Sequence, residues 1–201
     1  MSFIDTISPR EADGAVRDMY ERQQGAWGYV PNYAKSFSHR PEVMTRWGQL
    51  LAEIKRPLDK RTFELATFAA AHELRHSSCA LAHGKALLEF FGPDEVRAIA
   101  RQEPVPSLSE AEQALLRFAR LVARDAAAIG ARDIEELRAH GYSDADVFDI
   151  AAAAAARAFF TKLLDAVGSL PDAPFSGLDA RFVADLTVGR PIDTHDIEVM
   201  E

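Results

Sequence analysis

The sequence is poor in cysteine and in long hydrophobic segments. Cys79 is the only cysteine among 201 residues, so no disulfide can form within the chain, which is typical of proteins from reducing compartments. The longest apolar run, residues 150–160, is interrupted by Arg157 and is too short to cross a bilayer. The first residues, Met1–Asp5, lead into a polar segment and lack the apolar stretch of a secretory signal. We therefore expect a cytoplasmic protein without a membrane-spanning segment.

Basic residues are also in the minority. The chain has 23 lysines and arginines against 31 aspartates and glutamates, which gives a formal net charge of −8. An acidic surface repels phosphate backbones and anionic lipid headgroups, so the charge argues against a nucleic-acid partner and against docking on a membrane. Apolar residues make up 48% of the chain, which is enough at this length to form the core of one folded domain. We expect a single domain over residues 1–201.

Period-two alternation with hairpin turns is missing, whereas helix signals recur along the chain. Ser8 before Pro9 and Glu11 predicts one helix start, and Ser109 and Ser143 each begin a capping-box pattern. Apolar residues recur at intervals of three and four between these signals. The fold class is therefore all-α, a compact bundle of about eight or nine helices. We predict helices at residues 9–25, 31–38, 41–55, 59–75, 77–91, 93–101, 109–128, 131–139 and 144–167, with a short helix near 178–186.

The chain changes character after residue 168. Residues 169–201 contain three prolines and two glycines, so we expect a C-terminal extension without a long helix. Its last part, residues 193–201, is predicted to be a tail that could lie across a partner subunit.

Glu64 is unusual because it lies within an apolar helical run. A carboxyl group in such surroundings loses hydration, which raises its pKa and makes it useful as a proton carrier near neutral pH. The alternative is structural: Glu64 lies at the edge of the run and forms an ion pair with Arg61 or Arg75.

Cys79 and His83 are four residues apart, so their side chains share one face of the predicted helix 77–91. Ser77 and Ser78 precede the cysteine, and either is a candidate helix cap. A cysteine in a first helical turn feels the positive end of the helix dipole, which favours thiolate, and His83 is placed to take the thiol proton. The alternative is that Cys79 is an inert buried hydrophobic residue.

The same segment also permits a metal site. His72, His76, Cys79 and His83 are residue types that zinc accepts, provided that the break between two helices brings all four together. We rank this second, because histidines on helices are often only polar surface. The sequence therefore predicts Cys79, His83 and Glu64 as catalytic residues, with no cofactor and no resident metal.

The spacing of Glu64, Cys79 and His83 resembles the core motif of the AhpD-like alkylhydroperoxidase and carboxymuconolactone decarboxylase superfamily. The resemblance covers most of residues 28–168 and is most specific between Glu64 and His83. It implies an all-α core over residues 28–168 and a symmetric homo-oligomer, as a dimer, trimer or hexamer. It also implies a hydroperoxide substrate, with Cys79 as the attacking thiol and His83 and Glu64 as its proton relay.

The sequence departs from the peroxidase pattern at informative positions. The position of the resolving cysteine is occupied by His76, and Ser78 stands where well-known peroxidases have another histidine. Thr161-Lys162 replaces an Asn-Arg pair that is common in peroxidase-related members. Because no second cysteine exists, oxidised Cys79 would need an external thiol reductant.

Three functions follow, in order of preference. The first is a thiol-dependent peroxidase that uses Cys79 and an external reductant. The second is an acid–base enzyme of the carboxymuconolactone decarboxylase kind, in which Glu64 and His83 move protons and Arg75, Arg61 or His76 holds the substrate. The third is a non-catalytic oligomer that retains the scaffold of a peroxidase.

Overall fold

A computed structural model describes residues 2–195 and 197–200. Within these residues the chain is all-helical and contains no strand, which confirms the predicted fold class. Two short 3₁₀ helices follow α7 and precede the last helix, at Ala126–Ala128 and Ala173–Gly177. The ten α-helices in the described part are α1 (Gly14–Trp27), α2 (Asn32–Ser36), α3 (Pro41–Lys55), α4 (Lys60–Glu73), α5 (Ser77–Leu87), α6 (Pro93–Ala100), α7 (Glu110–Asp125), α8 (Ala131–Ala139), α9 (Asp144–Ala166) and α10 (Ala180–Leu186).

Helix α4 is the centre of the fold. Every residue from Phe63 to Ala71 is buried, and the helix packs against α5, α7 and α9. Its N-terminus is capped by Asp59, whose side chain accepts a hydrogen bond from the Thr62 amide at 2.9 Å. A helix that is apolar on all sides is stable only in the interior, so any polar side chain on it faces protein. Glu64 is such a side chain.

Most predicted helix boundaries agree with the structure to within a few residues. Ser109 and Ser143 form the predicted capping boxes, and the helix predicted at 131–139 has those bounds. The predicted start at Pro9 is wrong, because α1 begins at Gly14 and the residues before it form a turn. Ser8 Oγ donates to Glu11 Oε2 at 2.7 Å, so this hydroxyl is not used as a helix cap.

The C-terminal extension packs against its own chain. The amide of Val30 donates to the carbonyl of Glu198 at 3.0 Å, and Lys35 forms an ion pair with the Glu198 carboxylate at 2.6 Å. The described end of the tail therefore contacts α2 and the segment before it in the same molecule, and its contact with a partner subunit stays a prediction. Asp196 and Glu201 lie outside the described residues.

An apolar strip remains exposed on α3 and α9. Its largest members are Leu50, Phe148 and Phe159, which are 54%, 72% and 48% exposed. No helix in the described part of the chain is long and apolar enough to cross a membrane. Homo-oligomerisation stays a prediction, and this strip is the surface on which it is most readily tested.

The docking of α10 onto α5 predicts a strict size limit at Gly84. A Cβ atom there would overlap Leu186 Cδ2 and lie 3.3 Å from the Phe182 ring, both of which are buried in α10. We expect Gly84→Val to lower the free energy of unfolding by about 1–3 kcal/mol through overpacking, as measured by urea denaturation. Gly48→Val in α3 is the control, since a Cβ at Gly48 meets nothing within 4 Å. Equal stability of the two variants would contradict this packing.

Candidate active site

Glu64 and His83 form a buried pair between α4 and α5. His83 Nδ1 lies 2.6 Å from Glu64 Oε2, and the Glu64 side chain is only 7% exposed. A carboxylate only accepts hydrogen bonds, so Nδ1 carries the proton and Nε2 is left as the basic nitrogen. The alternative partners suggested by the sequence are wrong. Arg61 Nε instead donates to Glu112 Oε1 at 2.5 Å, and Arg75 Nε donates to the Val188 carbonyl at 3.1 Å.

The pKa of Glu64 moves in the direction opposite to the one predicted. Burial raises this pKa, but the hydrogen bond and charge of His83, with Lys55 and Arg157 nearby, lower it by more, so it falls below its ordinary value of 4.5. Burial and the charge of Arg157 also lower the pKa of His83. At neutral pH the pair is therefore a carboxylate and a neutral imidazole, so the nitrogen able to accept a proton is on His83.

Cys79 is the third residue of α5 and is 5% exposed. The predicted serine cap is wrong: the N-cap is His76, whose Nδ1 accepts the Cys79 amide at 3.2 Å. Ser77 Oγ instead accepts the amide of Gly189 from the C-terminal extension at 2.9 Å. Because burial lowers the pKa of His76 to about 4, its ring is neutral and can accept this bond. The amide of Cys79 is thus used by the cap and is not left to stabilise a thiolate.

Arg157 is the group that the sequence analysis did not assign to the site. It projects from α9, is 5% exposed, and its Nη1 lies 3.5 Å from Cys79 Sγ. Its guanidinium carbon also lies 5.5 Å from the centre of the Phe160 ring, within the range of a cation–π contact. The available signal was a charged residue inside the apolar run 150–160, which a buried helix tolerates only when that charge has a use.

The thiol of Cys79 is not the depressed thiol that the sequence suggested. Burial raises its pKa above the ordinary value of 9.0, and the charge and hydrogen bond of Arg157 offset only part of that rise. Asp165 adds a smaller contribution that also raises the pKa. The resting cysteine is therefore protonated at neutral pH, and Arg157 is the group that most favours its ionisation.

One cavity of about 330 Å³ joins these groups. No hydrogen bond joins Cys79 to His83 in the described structure, although both side chains line this space. A proton that passes from sulfur to imidazole therefore has to cross the cavity. The other walls are mainly aromatic and aliphatic, and they include Trp27, Tyr33, Met44, Trp47, Leu51, Ser78, Ala82, Ala86, Phe160, Leu164, Asp172 and Phe175.

The zinc interpretation finds no support in the described residues, which contain no cluster of three or more histidine, cysteine, aspartate or glutamate side chains suited to a metal. His76 caps α5, and His83 is bound to Glu64. His72 lies apart from them, with its ring 6.0 Å from the Phe68 ring and the charges of Arg120 and Asp185 nearby. The four candidate ligands therefore do not come together as one metal site in the described part of the chain.

The C-terminal extension contributes a second acid to the cavity wall. Asp172 is 6% exposed and accepts a hydrogen bond from the Asn32 amide at 2.7 Å. Burial raises its pKa to about 6, and the neighbouring charge of Asp193 acts in the same direction. Phe175 comes from the same extension. A segment that the sequence suggested to be outside the core thus closes one side of the site.

One family model and several solved structures are similar to this chain. The carboxymuconolactone decarboxylase family model matches residues 41–121, a range that includes Glu64, Cys79 and His83. A peroxidase-related protein from Ralstonia eutropha JMP134, described as an alkylhydroperoxidase AhpD core, is 24% identical with a TM-score of 0.71, covering 87% of this chain and 94% of that one. Over residues 41–121 the chain is similar to the carboxymuconolactone decarboxylase family, and its overall fold is that of the AhpD core.

Other solved structures share the fold. A peroxidase-related protein from Silicibacter sp. TM1040 is 22% identical with a TM-score of 0.73, and the match covers 88% of this chain and 94% of that one. The debrominase Bmp8, solved as a cysteine-to-alanine variant with 2,3,4-tribromopyrrole, is 18% identical with a TM-score of 0.73, and the match covers 90% and 100% of the two chains. Among proteins with curated descriptions, none matches the sequence significantly.

The contact between Arg157 and Cys79 predicts the pH dependence of alkylation. We expect the iodoacetamide rate of the wild-type chain to be low at pH 7 and still rising above pH 9, because the thiol pKa is raised. Arg157→Met removes the cation whose charge and hydrogen bond lower this pKa, so the alkylation rate at any pH below the pKa falls by about tenfold or more. Lys162→Met, which removes an exposed cation of the same helix, should leave the profile unchanged. An inflection near pH 7 in the wild-type chain would contradict the assignment.

The burial of Asp172 predicts that replacing it by a neutral side chain stabilises the fold at high pH. The folded pKa of Asp172, about 6, exceeds its ordinary value of 3.8, so the folded state binds the proton more tightly than the unfolded state does. The resulting stabilisation is complete below pH 3.8 and is lost as pH rises through 6. Asp172→Asn cannot ionise and should be more stable than wild type at pH 8, by up to about 3 kcal/mol, with little difference at pH 4. Asp59→Asn is the control of opposite sign, since against the effect of burial hydrogen bonds from Thr62 help to hold the Asp59 pKa below its ordinary value, and its stabilising charge is present at pH 8. Urea denaturation at both pH values checks this.

Proposed function

We propose that this AhpD-like chain is a thiol-dependent, peroxidase-like oxidoreductase in which Cys79 attacks a hydroperoxide. The observation that carries the proposal is the joint opening of Cys79, Arg157 and the Glu64–His83 pair onto one cavity, with Cys79 Sγ 3.5 Å from the guanidinium. The sulfur has a cation to stabilise its ionised form, and the cavity has a basic nitrogen to receive its proton. These are the two requirements of an activated thiol.

The proposed step balances as follows. His83 Nε2 takes the Cys79 proton across the cavity, and the thiolate attacks the terminal oxygen of the hydroperoxide. The S–O bond forms while the O–O bond breaks, and the leaving alkoxide takes a proton from the His83 imidazolium. Sulfur is oxidised by two electrons to the sulfenic acid, and the hydroperoxide is reduced to an alcohol. Glu64 holds the imidazole and stabilises its positive charge during the transfer.

Recovery of the enzyme requires a partner thiol. Cys79 is the only cysteine, so an external thiol displaces water from the sulfenic acid to give a mixed disulfide, and a second thiol releases the free cysteine. Such a cycle suits the reducing cytoplasm, which is part of the proposal. Association into a homo-oligomer is a further part of it, supported by the exposed apolar strip on α3 and α9.

The test is oxidation of Cys79 by cumene hydroperoxide, followed by mass spectrometry, with dithiothreitol turnover as a second readout. We expect a one-oxygen adduct on Cys79 that forms at least about 100-fold faster than on a free cysteine. We also expect Glu64→Gln and His83→Gln to slow it by about 10²–10⁴-fold, because each removes acid–base assistance. Both substitutions preserve side-chain size, so circular dichroism can verify that the variants are folded.

Ser78→Ala is the matched control, since Ser78 lines the cavity but carries no acid–base group. Its oxidation rate should stay within about twofold of the wild-type rate. An adduct that forms no faster than on free cysteine, or equal rates in wild type and Glu64→Gln, would remove the proposal.

A second candidate is the acid–base function of a carboxymuconolactone decarboxylase. The specific observation in its favour is that Glu64 and His83 form their hydrogen bond without any contact to Cys79 Sγ. Arg157 supplies the cation that such a reaction needs. Arg61 and Arg75, which the sequence suggested for that role, are engaged elsewhere. Lactone decarboxylation that survives Cys79→Ser and is lost in Glu64→Gln would establish this function in place of the first.

The raised pKa of the Cys79 thiol is the observation that favours the third candidate, a non-catalytic oligomer. An unreactive thiol and absence of both activities, in a chain whose fold is intact, would support it.

A further inference from the structure

Arg157 has binding capacity that the protein itself does not use. Its Nε is buried and has no hydrogen-bond partner, and no carboxylate lies within ion-pair distance of its guanidinium in the described part of the chain. A guanidinium offers five N–H donors and is always charged in proteins. Only one of these groups has a contact at the site, the Nη1 contact with Cys79 Sγ. A buried cation in this state leaves donors for an anionic ligand.

The acids around the cavity do not supply that anion. Glu64 Oε2 is bound to His83 Nδ1, and Asp172 accepts from the amide of Asn32. Tyr33 lies between the two regions, since the charges of Asp172, Cys79 and Arg157 all act on its hydroxyl. Arg157 therefore lines a cavity in which the two lining carboxylates, Glu64 and Asp172, already have partners.

The walls of the cavity indicate the shape of the organic group that an anionic ligand of Arg157 would carry. Trp47 is stacked on Phe160 with ring centres 5.5 Å apart and an interplanar angle of 14°, and Tyr33 meets Phe160 edge-on at 5.5 Å. Flat aromatic walls favour flat rings, which stack or meet them edge-on. The volume of about 330 Å³ is at the small end for ligand cavities, so it suits one ring or two fused rings.

We propose that this cavity binds a small aromatic carboxylate, with the carboxylate on the free N–H groups of Arg157 and the ring among Trp47, Tyr33 and Phe160. The proposal deepens the proposed function, because it names the organic part of the substrate for the same site. A bidentate guanidinium–carboxylate contact beside the sulfur fixes the position of the reacting group.

The test compares phenylacetate with phenylacetamide, which have nearly the same shape but differ in charge. The chain has two tryptophans, Trp27 and Trp47, and both line the cavity, so their fluorescence reports occupancy directly. Titrations at pH 7 use Cys79→Ser, which cannot react, as well as the wild-type chain. We expect phenylacetate to bind at least tenfold more tightly than phenylacetamide in both proteins, because a charge-assisted bond replaces a neutral one.

The matched variants are Arg157→Gln and Arg157→Lys. Glutamine should bring the two ligands to within about twofold of each other, while lysine keeps a cation and part of the preference. Equal binding of the two ligands to the wild-type chain, no fluorescence change with either ligand, or a preference that persists in Arg157→Gln would overturn the proposal. Binding with the expected preference but without oxidation of Cys79 would remove only the peroxidase function, since these titrations do not depend on turnover.

Discussion

The site depends on a positive charge that is buried without an acidic partner. Removing a guanidinium from water costs several kcal/mol unless the surrounding groups compensate for it. Around Arg157 the compensation is partial: a thiol sulfur at 3.5 Å, the face of Phe160, and the field of Glu64, whose own pKa Arg157 lowers. This arrangement is poorly explained as a means of stabilising the fold, because an apolar side chain at the same place would be less costly. It is readily explained as preparation for negative charge at the sulfur or on a ligand.

The helices hold these groups at fixed separations. Helix α4 buries nine consecutive residues and contacts both α5 and α9, so Glu64, Cys79 and Arg157 each project from a helix of the same tightly packed core. Small side chains such as Ala153 and Ala154 are fully buried on α9, which lets α4 and α9 approach closely. Side chains on such elements keep their positions better than side chains on loops, and a proton relay needs that precision.

The sequence predicted what local patterns determine. Capping boxes and apolar periodicity predicted an all-α bundle, and the spacing between Glu64 and His83 predicted a pair that the structure shows in contact. The role of Arg157 was not predictable, because its position depends on how α9 crosses α4 and α5. The ionisation of Glu64 was misjudged for a related reason: burial alone would raise its pKa, but the outcome depends on the charges brought near it by distant segments. Asp172 reaches the cavity only through the path of the C-terminal extension.

The raised pKa of the thiol is compatible with reactivity once the charges of the cavity are considered together. Transfer of a proton from Cys79 to the neutral imidazole of His83 creates one negative and one positive charge inside the same space, so the net charge of the cavity does not change. The new anion lies beside Arg157 and the new cation lies against the Glu64 carboxylate, so each is formed next to a group of opposite sign. If Cys79 lost its proton to solvent instead, the thiolate would still lie beside Arg157, but no positive charge would form against the Glu64 carboxylate. The same arrangement therefore keeps the resting sulfur protonated, and less prone to oxidation, until the proton can cross to His83.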